Sequence, residues 1–289
     1  MRQYQNQYFE GERSLFAEED AEIIDTTFAK GESPLKESRN ITLKDSVFQW
    51  KYPLWYSNHI SVDHTIFETM SRSGIWYTHD IQITNSTLQA PKLFRRSSQI
   101  KLNHVYFANA GETLWNCDDI SLTDVQVTGD YFGMNSTNVV LDQVDLVGNY
   151  CFDGAKNVTV HNSTFVSKDA FWNCENVTIY DSTISGEYLA WNTKRLTLIN
   201  CTIQSDQGLC YVDYLTLKQC KLLQTDLAFE YCRNIDADII SDIISVKNPI
   251  SGTIRARSIG SIILDPTKVD PKQTTIETAI PIMNEAKAS

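Results

Sequence analysis

The sequence predicts an all-β fold, a single-stranded, right-handed parallel β-helix of about 12–13 coils with three short strands in each. Three observations predict it. A nine-residue motif returns every 19 to 21 residues, clearest at 40–48 (NITLKDSVF), 157–165 (NVTVHNSTF) and 176–184 (NVTIYDSTI). Within each copy apolar and polar residues alternate, the period of a strand with one buried face. An Asp or Asn then closes the alternating run, where a short polar side chain suits a corner because it bonds local backbone and tolerates the left-handed region. A fixed period of this kind means stacked copies of one unit, each burying its apolar row only against its neighbours.

The main strand of each coil opens on an aliphatic residue: Ile41, Ile60, Ile81, Ile100, Ile120, Val139, Val158, Val177, Leu196, Leu215, Ile235 and Ile254, with a weaker copy over 21–28. Corners follow at Asp45, Asn85, Asp124, Asn162, Asp181 and Asn200. A short second strand ends on a large apolar residue such as Phe48, Phe67, Phe107, Phe165 or Ile203. The third strand is predicted just upstream of each copy, at 54–57 (LWYS), 75–78 (IWYT), 114–117 (LWNC), 171–174 (FWNC) and 190–193 (AWNT). Asn40, Asn138, Asn157, Asn176 and Asn234 recur before the main strand and are expected to form side-chain ladders along one corner. Helix–turn–helix repeats are excluded by the period-2 pattern, and a left-handed hexapeptide helix by an internal spacing that is not six. A pentapeptide-repeat coil is the nearest competitor, and its five-residue spacing is not kept before the main strand.

The chain divides in this reading into an N-terminal cap (1–20), the β-helix (21–260), and a C-terminal cap with a flexible tail (261–289), where Pro266 and Pro271 interrupt the period. Caps are expected because an exposed terminal edge would template association. A net charge of −11 argues against nucleic acid or an anionic membrane as partner. The first residues carry no apolar signal region, and no run reaches membrane-spanning length. Seven cysteines without framework spacing read as buried thiols, which places the protein in a reducing cytoplasm.

Familiar catalytic motifs are absent: no P-loop, dinucleotide fingerprint, HExxH or GxSxG occurs. The five histidines share no file on adjacent coils, so no metal centre is predicted. Five residues before each main strand, however, stands an aromatic row of Trp55, Trp76, Trp115, Trp172 and Trp191, interrupted by Arg95. Tyr56 and Tyr77 follow one residue later, as does Arg96 after Arg95. Alternation puts this row outside, and an exposed aromatic row suits stacking on sugar rings. Acids run along the same edge, among them Glu112 and Glu187, which join the aromatic residues as candidate saccharide contacts. Asp153, with Asp130 and Asp169 on flanking turns and Arg95 and Arg96 beside them, forms the candidate catalytic set, because neighbouring carboxylates with separated pKa values serve as acid and base in glycoside chemistry. The plainer alternative is that loops bury the tryptophans as a second small core while the acids are turn residues or Ca²⁺ ligands.

The runs 31–38 (GESPLKES), 51–57 (KYPLWYS), 74–78 (GIWYT), 113–117 (TLWNC) and 168–173 (KDAFWN) carry a resemblance. Through them the chain resembles an uncharacterised bacterial family of intracellular β-helix proteins, a domain of unknown function within the pectin-lyase-like superfamily. The resemblance implies the fold and supplies no activity. Polygalacturonases and pectate lyases belong to the wider superfamily, but their Gly-His-Gly, Arg-Ile-Lys and Asn-Thr-Asp motifs are missing here, and Asp118-Asp119 precede a main strand without those companions. Two functions follow as expectations. In one, the Trp/acid face binds or processes a polysaccharide or oligosaccharide. In the other, the chain is a non-catalytic scaffold that binds a protein or its own copy, as a monomer or homo-oligomer.

Overall fold

The computed structural model describes residues 1–280 and the backbone strand 285–287; part of the expected C-terminal tail, residues 281–284 and 288–289, lies outside the described residues. Among the described residues the chain is all-β apart from a 3-10 turn at Pro271–Gln273, and it forms two compact units, Met1–Gly148 and Asn149–Ser289.

In the first unit eight main strands lie parallel, from Arg2–Gln5 through Glu19–Ile24, Arg39–Lys44 and Asn58–Asp63 to His79–Leu88, Ser98–Phe107, Asp118–Thr128 and Thr137–Val147. Their register follows the aliphatic file read from the sequence: Ala21 pairs with Ile41, Ile41 with Ile60, Ile60 with Ile81, and so on to Ile120 with Val139. That file and the one two residues on (Ile23, Leu43, Val62, Ile83, Leu102) are buried, while the residue between them is half-buried or exposed. At the second strand the core becomes aromatic. Phe9, Phe28, Phe48 and Phe67 stack at ring separations of 5.5, 4.7 and 4.9 Å. Like stacks on like because the hydrogen-bonded coils repeat at strand spacing.

The second unit repeats the plan with seven main strands, Lys156–His161, Glu175–Tyr180, Lys194–Ile199, Asp213–Leu223, Arg233–Lys247, Gly252–Leu264 and Thr274–Thr278. Val158, Val177, Leu196, Leu215 and Ile235 form its aliphatic file. Phe152 stacks on Phe171 at 5.6 Å, and Phe165 meets Phe171 edge-on. Eight and seven main strands make about fifteen turns in all, rather than the 12–13 the repeat suggested. The extra turns are the terminal ones, where 1–9 (MRQYQNQYF) and 274–280 (TTIETAI) have strands without the Asn and β-branched signature.

A second correction concerns the third segment. Among the described residues Ile75–Trp76 and Phe94–Arg95 pair there as strands, with isolated bridges from Arg95 to Trp115 and from Ala228 to Val246; elsewhere the segment is mainly a chain of turns. Tyr52 and Tyr56 show why, at φ 61° and 57°, since a left-handed residue every few positions bends the backbone out of extension. Coil-to-coil bonding survives the bends, with Leu54 N–H donating to Gly74 O at 2.8 Å and Tyr56 N–H to Trp76 O at 3.0 Å. Those bonds compensate a conformation that costs a non-glycine residue roughly 1–2 kcal/mol.

Two inward polar files meet the rule that buried polar groups need partners. In the first, Thr26 N–H donates to Ser46 Oγ at 3.2 Å and Thr65 N–H to Ser86 Oγ at 3.0 Å, while each hydroxyl donates to a backbone carbonyl. In the second, Ser57, Ser97 and Ser136 donate to Leu35, Ile75 and Leu114 carbonyls at 2.6–2.8 Å. Cys201 and Cys220 stand in the first file and Cys117, Cys174 and Cys232 in the second, and all seven cysteines are free and buried. Burial pushes the Cys117 and Cys151 thiols up to about 12, so they are inert small fillers. The expected asparagine ladder is present but exposed, and its partner is often an aspartate: Asn176 Nδ2 donates to Asn157 Oδ1 at 3.0 Å, and Asn40 Nδ2 to Asp20 Oδ1 at 2.9 Å.

Candidate functional site

The aromatic row is set by the turn segment. Each tryptophan follows a buried residue, Leu54, Ile75, Leu114 or Phe171 for the first four, and is itself half-buried. Its indole N–H then donates across to the next coil: Trp76 to Lys92 O at 2.8 Å, Trp115 to Tyr131 O at 2.6 Å, Trp172 to Tyr188 O at 2.9 Å, and Trp55 to Ser73 O. That bond lays each ring flat along the coil, so the faces turn toward neighbouring rings and the edges toward solvent.

In the first unit Trp55 and Trp76 stack at 5.5 Å with planes 9° apart, and Tyr56 and Tyr77 stack beside them at 4.8 Å and 5°. Arg95 fills the gap in the row. Its guanidinium carbon lies 4.7 Å from the Trp76 ring centre and 4.7 Å from that of Trp115, a cation held between two π faces. Glu112 faces Lys92 at 3.1 Å and Arg95 at 3.5 Å. In the second unit Trp172 meets Trp191 at 5.8 Å, and Trp191 stacks on Tyr211 at 5.4 Å. Asn192 Nδ2 donates to Asn173 Oδ1 at 3.0 Å, and Asn173 Nδ2 to Asp153 Oδ1 at 2.9 Å. Glu187 faces Lys168 at 3.4 Å.

The row therefore stands where alternation put it, at the surface, but two expectations change. The five tryptophans are half-buried, neither fully exposed nor enclosed as a second core. A face each of Trp55, Trp76 and Trp115 meets a neighbouring ring or Arg95, Trp191 stacks on Tyr211, Trp172 meets Trp191 at a tilt of 49°, and Glu112 and Glu187 face basic partners.

The five candidate catalytic residues divide between the units: Arg95, Arg96 and Asp130 in the first, Asp153 and Asp169 in the second. Arg96 and Asp130 are exposed. Asp169 differs from the other acids of the row. It is 1% exposed, and its Oδ1 has no hydrogen-bond partner. Burial raises its pKa; a hydrogen bond with Tyr150 and the charge of Lys168 oppose the rise, while Glu187 and Asp153 add to it. Tyr150, also packed edge-on against Trp172 at 6.0 Å, is the partner that sequence reasoning missed, since a tyrosine upstream of the row carries no periodic signal. Among the described residues no three His, Cys, Asp or Glu side chains come together as a metal site.

One expected result follows from Asp169. Because the folded state binds its proton more tightly than the unfolded chain does, this carboxyl stabilises the fold fully below its unfolded pKa, and that contribution is lost as pH rises through the folded value. Asp169→Asn should melt higher than the parent at pH 7, with the difference shrinking as pH falls through the folded value and gone below about 4, the ordinary aspartate value. Thermal melts across pH check this. A variant less stable than the parent at pH 7 would contradict it.

No helix among the described residues is long and apolar enough to cross a membrane. No curated protein matches the sequence. Among solved structures, the A-module of mannuronan C-5 epimerase AlgE4 from Azotobacter vinelandii is similar over 98% of this chain and 89% of its own, at 9% identity and TM-score 0.34. PfbA, a surface adhesin of Streptococcus pneumoniae, is similar over 80% of this chain and 71% of its own, at 12% identity and TM-score 0.39. The pentapeptide-repeat protein HetL from Nostoc sp. strain PCC 7120 is similar over 76% and 92%, at 10% identity and TM-score 0.26. The family model described as "Protein of unknown function (DUF3737)" matches residues 2–277. The chain belongs to the DUF3737 family.

Proposed function

We propose that the protein acts as a non-catalytic β-helical scaffold. The observation that supports this reading is the internal saturation of its outer row: Arg95 sits at 4.7 Å from both Trp76 and Trp115, and the neighbouring indoles and amides face one another. A ring face turned on the next coil is not open to a sugar, and an arginine held between two rings is already engaged. The acidic charge favours neither nucleic acid nor an anionic membrane as partner, and the buried free thiols suit a reducing compartment such as the cytoplasm. Tryptophan emission during titration with neutral and uronic-acid oligosaccharides tests the reading. The expected result is no saturable change; quenching that saturates, and that Trp115→Ala abolishes, would overturn it.

A second reading, saccharide processing, is favoured by Asp169 alone. A buried carboxyl whose pKa is raised by burial, with Asp153 in its electrostatic surroundings, has the asymmetry glycoside chemistry uses. Release of reducing ends from an oligosaccharide by the parent chain, lost in Asp169→Asn, would establish it in place of the first.

A further inference from the structure

We propose that the second unit carries a binding groove for an amphiphilic anion, a carboxylate on an unbranched aliphatic chain. The groove has a volume of about 820 Å³, within the range of small-ligand sites. It lies beside the long strand Arg233–Lys247, whose sequence carries two isoleucine pairs. In each pair one residue serves the core and the other does not: Ile239 and Ile243 are buried, whereas Ile240 is 43% and Ile244 51% exposed. Leu223, 42% exposed, adds a third aliphatic wall. In the coils before it, the place of Leu223 is held in turn by Gln204, Ser185 and Val166, so the two adjacent coils carry polar residues there. A single exposed leucine needs no explanation, but three converging on one groove do.

The charge of the groove selects the ligand. Arg257 donates from Nε to Asp242 Oδ1 at 2.7 Å and from its terminal nitrogen to Oδ2, so that pair is neutral overall. Lys221 has no ion-pair partner among the described residues, which leaves this lining at +1 on a chain of −11. Gln224 accepts from Gln204 at 2.6 Å through its carbonyl oxygen, and its own amide N–H groups remain as donors. An ammonium and an amide N–H beside an aliphatic wall fit a carboxylate head with a hydrocarbon tail. They disfavour the corresponding cation.

Calorimetric titration of the full chain with octanoate tests this, with octyltrimethylammonium as the opposite-charge probe of the same tail. Octanoate should bind saturably with a Kd of about 1 mM or tighter, and the cation about tenfold more weakly or not at all. Lys221→Gln should weaken octanoate about tenfold, and Ile244→Asp should abolish it; both residues are exposed, and a far-UV spectrum confirms that each variant folds. No saturation by about 10 mM, equal binding of the cation, or an unchanged affinity in either folded variant would overturn the assignment.

Discussion

Phe48→Ala should lower the unfolding free energy by about 3–5 kcal/mol, the range for truncating a buried phenylalanine. The ring is fully buried and lies between Phe28 at 4.7 Å and Phe67 at 4.9 Å, so its removal takes contacts from both faces at once. The site has little room to collapse. Val47 pairs with Thr27 on one side and Ile66 on the other, and these ladders hold the coils at strand spacing whatever fills the core. Phe48→Leu keeps most of the volume and should cost clearly less. Urea unfolding followed by circular dichroism measures both. Because stacked coils can fray from an end, the midpoint should be read together with the slope, and a lowered slope would signal partial unfolding. A loss under about 1 kcal/mol, the size seen at surface sites, would place this ring outside the core.

Gly186→Ala is the second large effect. Gly186 has φ +152°, and a Cβ there would lie 2.0 Å from the Ser167 carbonyl oxygen and 2.5 Å from its carbon. Both are backbone atoms of the preceding coil, so no flexible side chain can yield. The coils must separate, although Ser167 N–H bonds Ser185 O and Gly186 N–H bonds Gln204 O on the far side. Overpacking and left-handed strain each cost about 1–3 kcal/mol, so a loss of roughly 3 kcal/mol or more is expected. Gly111→Ala is the matched control, since its Cβ would meet only the Asn109 side-chain oxygen at 3.2 Å. Urea unfolding of the pair reads the contrast. Equal stabilities would mean that the coils pack more loosely at Gly186 than these contacts imply.

The residues that the period dictates were legible, and those set by a rotamer or a turn were not. The file from Ile41 to Val139 followed from alternation, and the corners Asp45, Asn85 and Asp124, at φ 47–52°, from the chemistry of short polar side chains. The third segment looked like a strand because Leu54-Trp55-Tyr56-Ser57 alternates. Aromatic residues seldom adopt positive φ, so nothing in the composition announced the bends at Tyr52 and Tyr56. The position of the tryptophan row was visible, its orientation was not. The indole N–H groups of Trp55, Trp76, Trp115 and Trp172 reach carbonyls 16 to 18 residues on, and those bonds set the rings against their neighbours along the row. Arg95 fell in the row by simple counting, and its place between two rings follows from register alone. The burial of Asp169 had no signal, since a turn residue between Lys168 and Ala170 reads as solvated.

The outer row acts as a mutual support, and a double-mutant cycle between Trp76 and Arg95 in urea tests that most directly. Trp76→Ala, Arg95→Ala and the double variant should show a coupling of about 0.5–2 kcal/mol, because the cation and the ring face stabilise each other only when both are present. Strict additivity, with Trp76→Ala itself within about 0.5 kcal/mol of the parent as for an ordinary surface position, would contradict it and return the ring faces to the solvent.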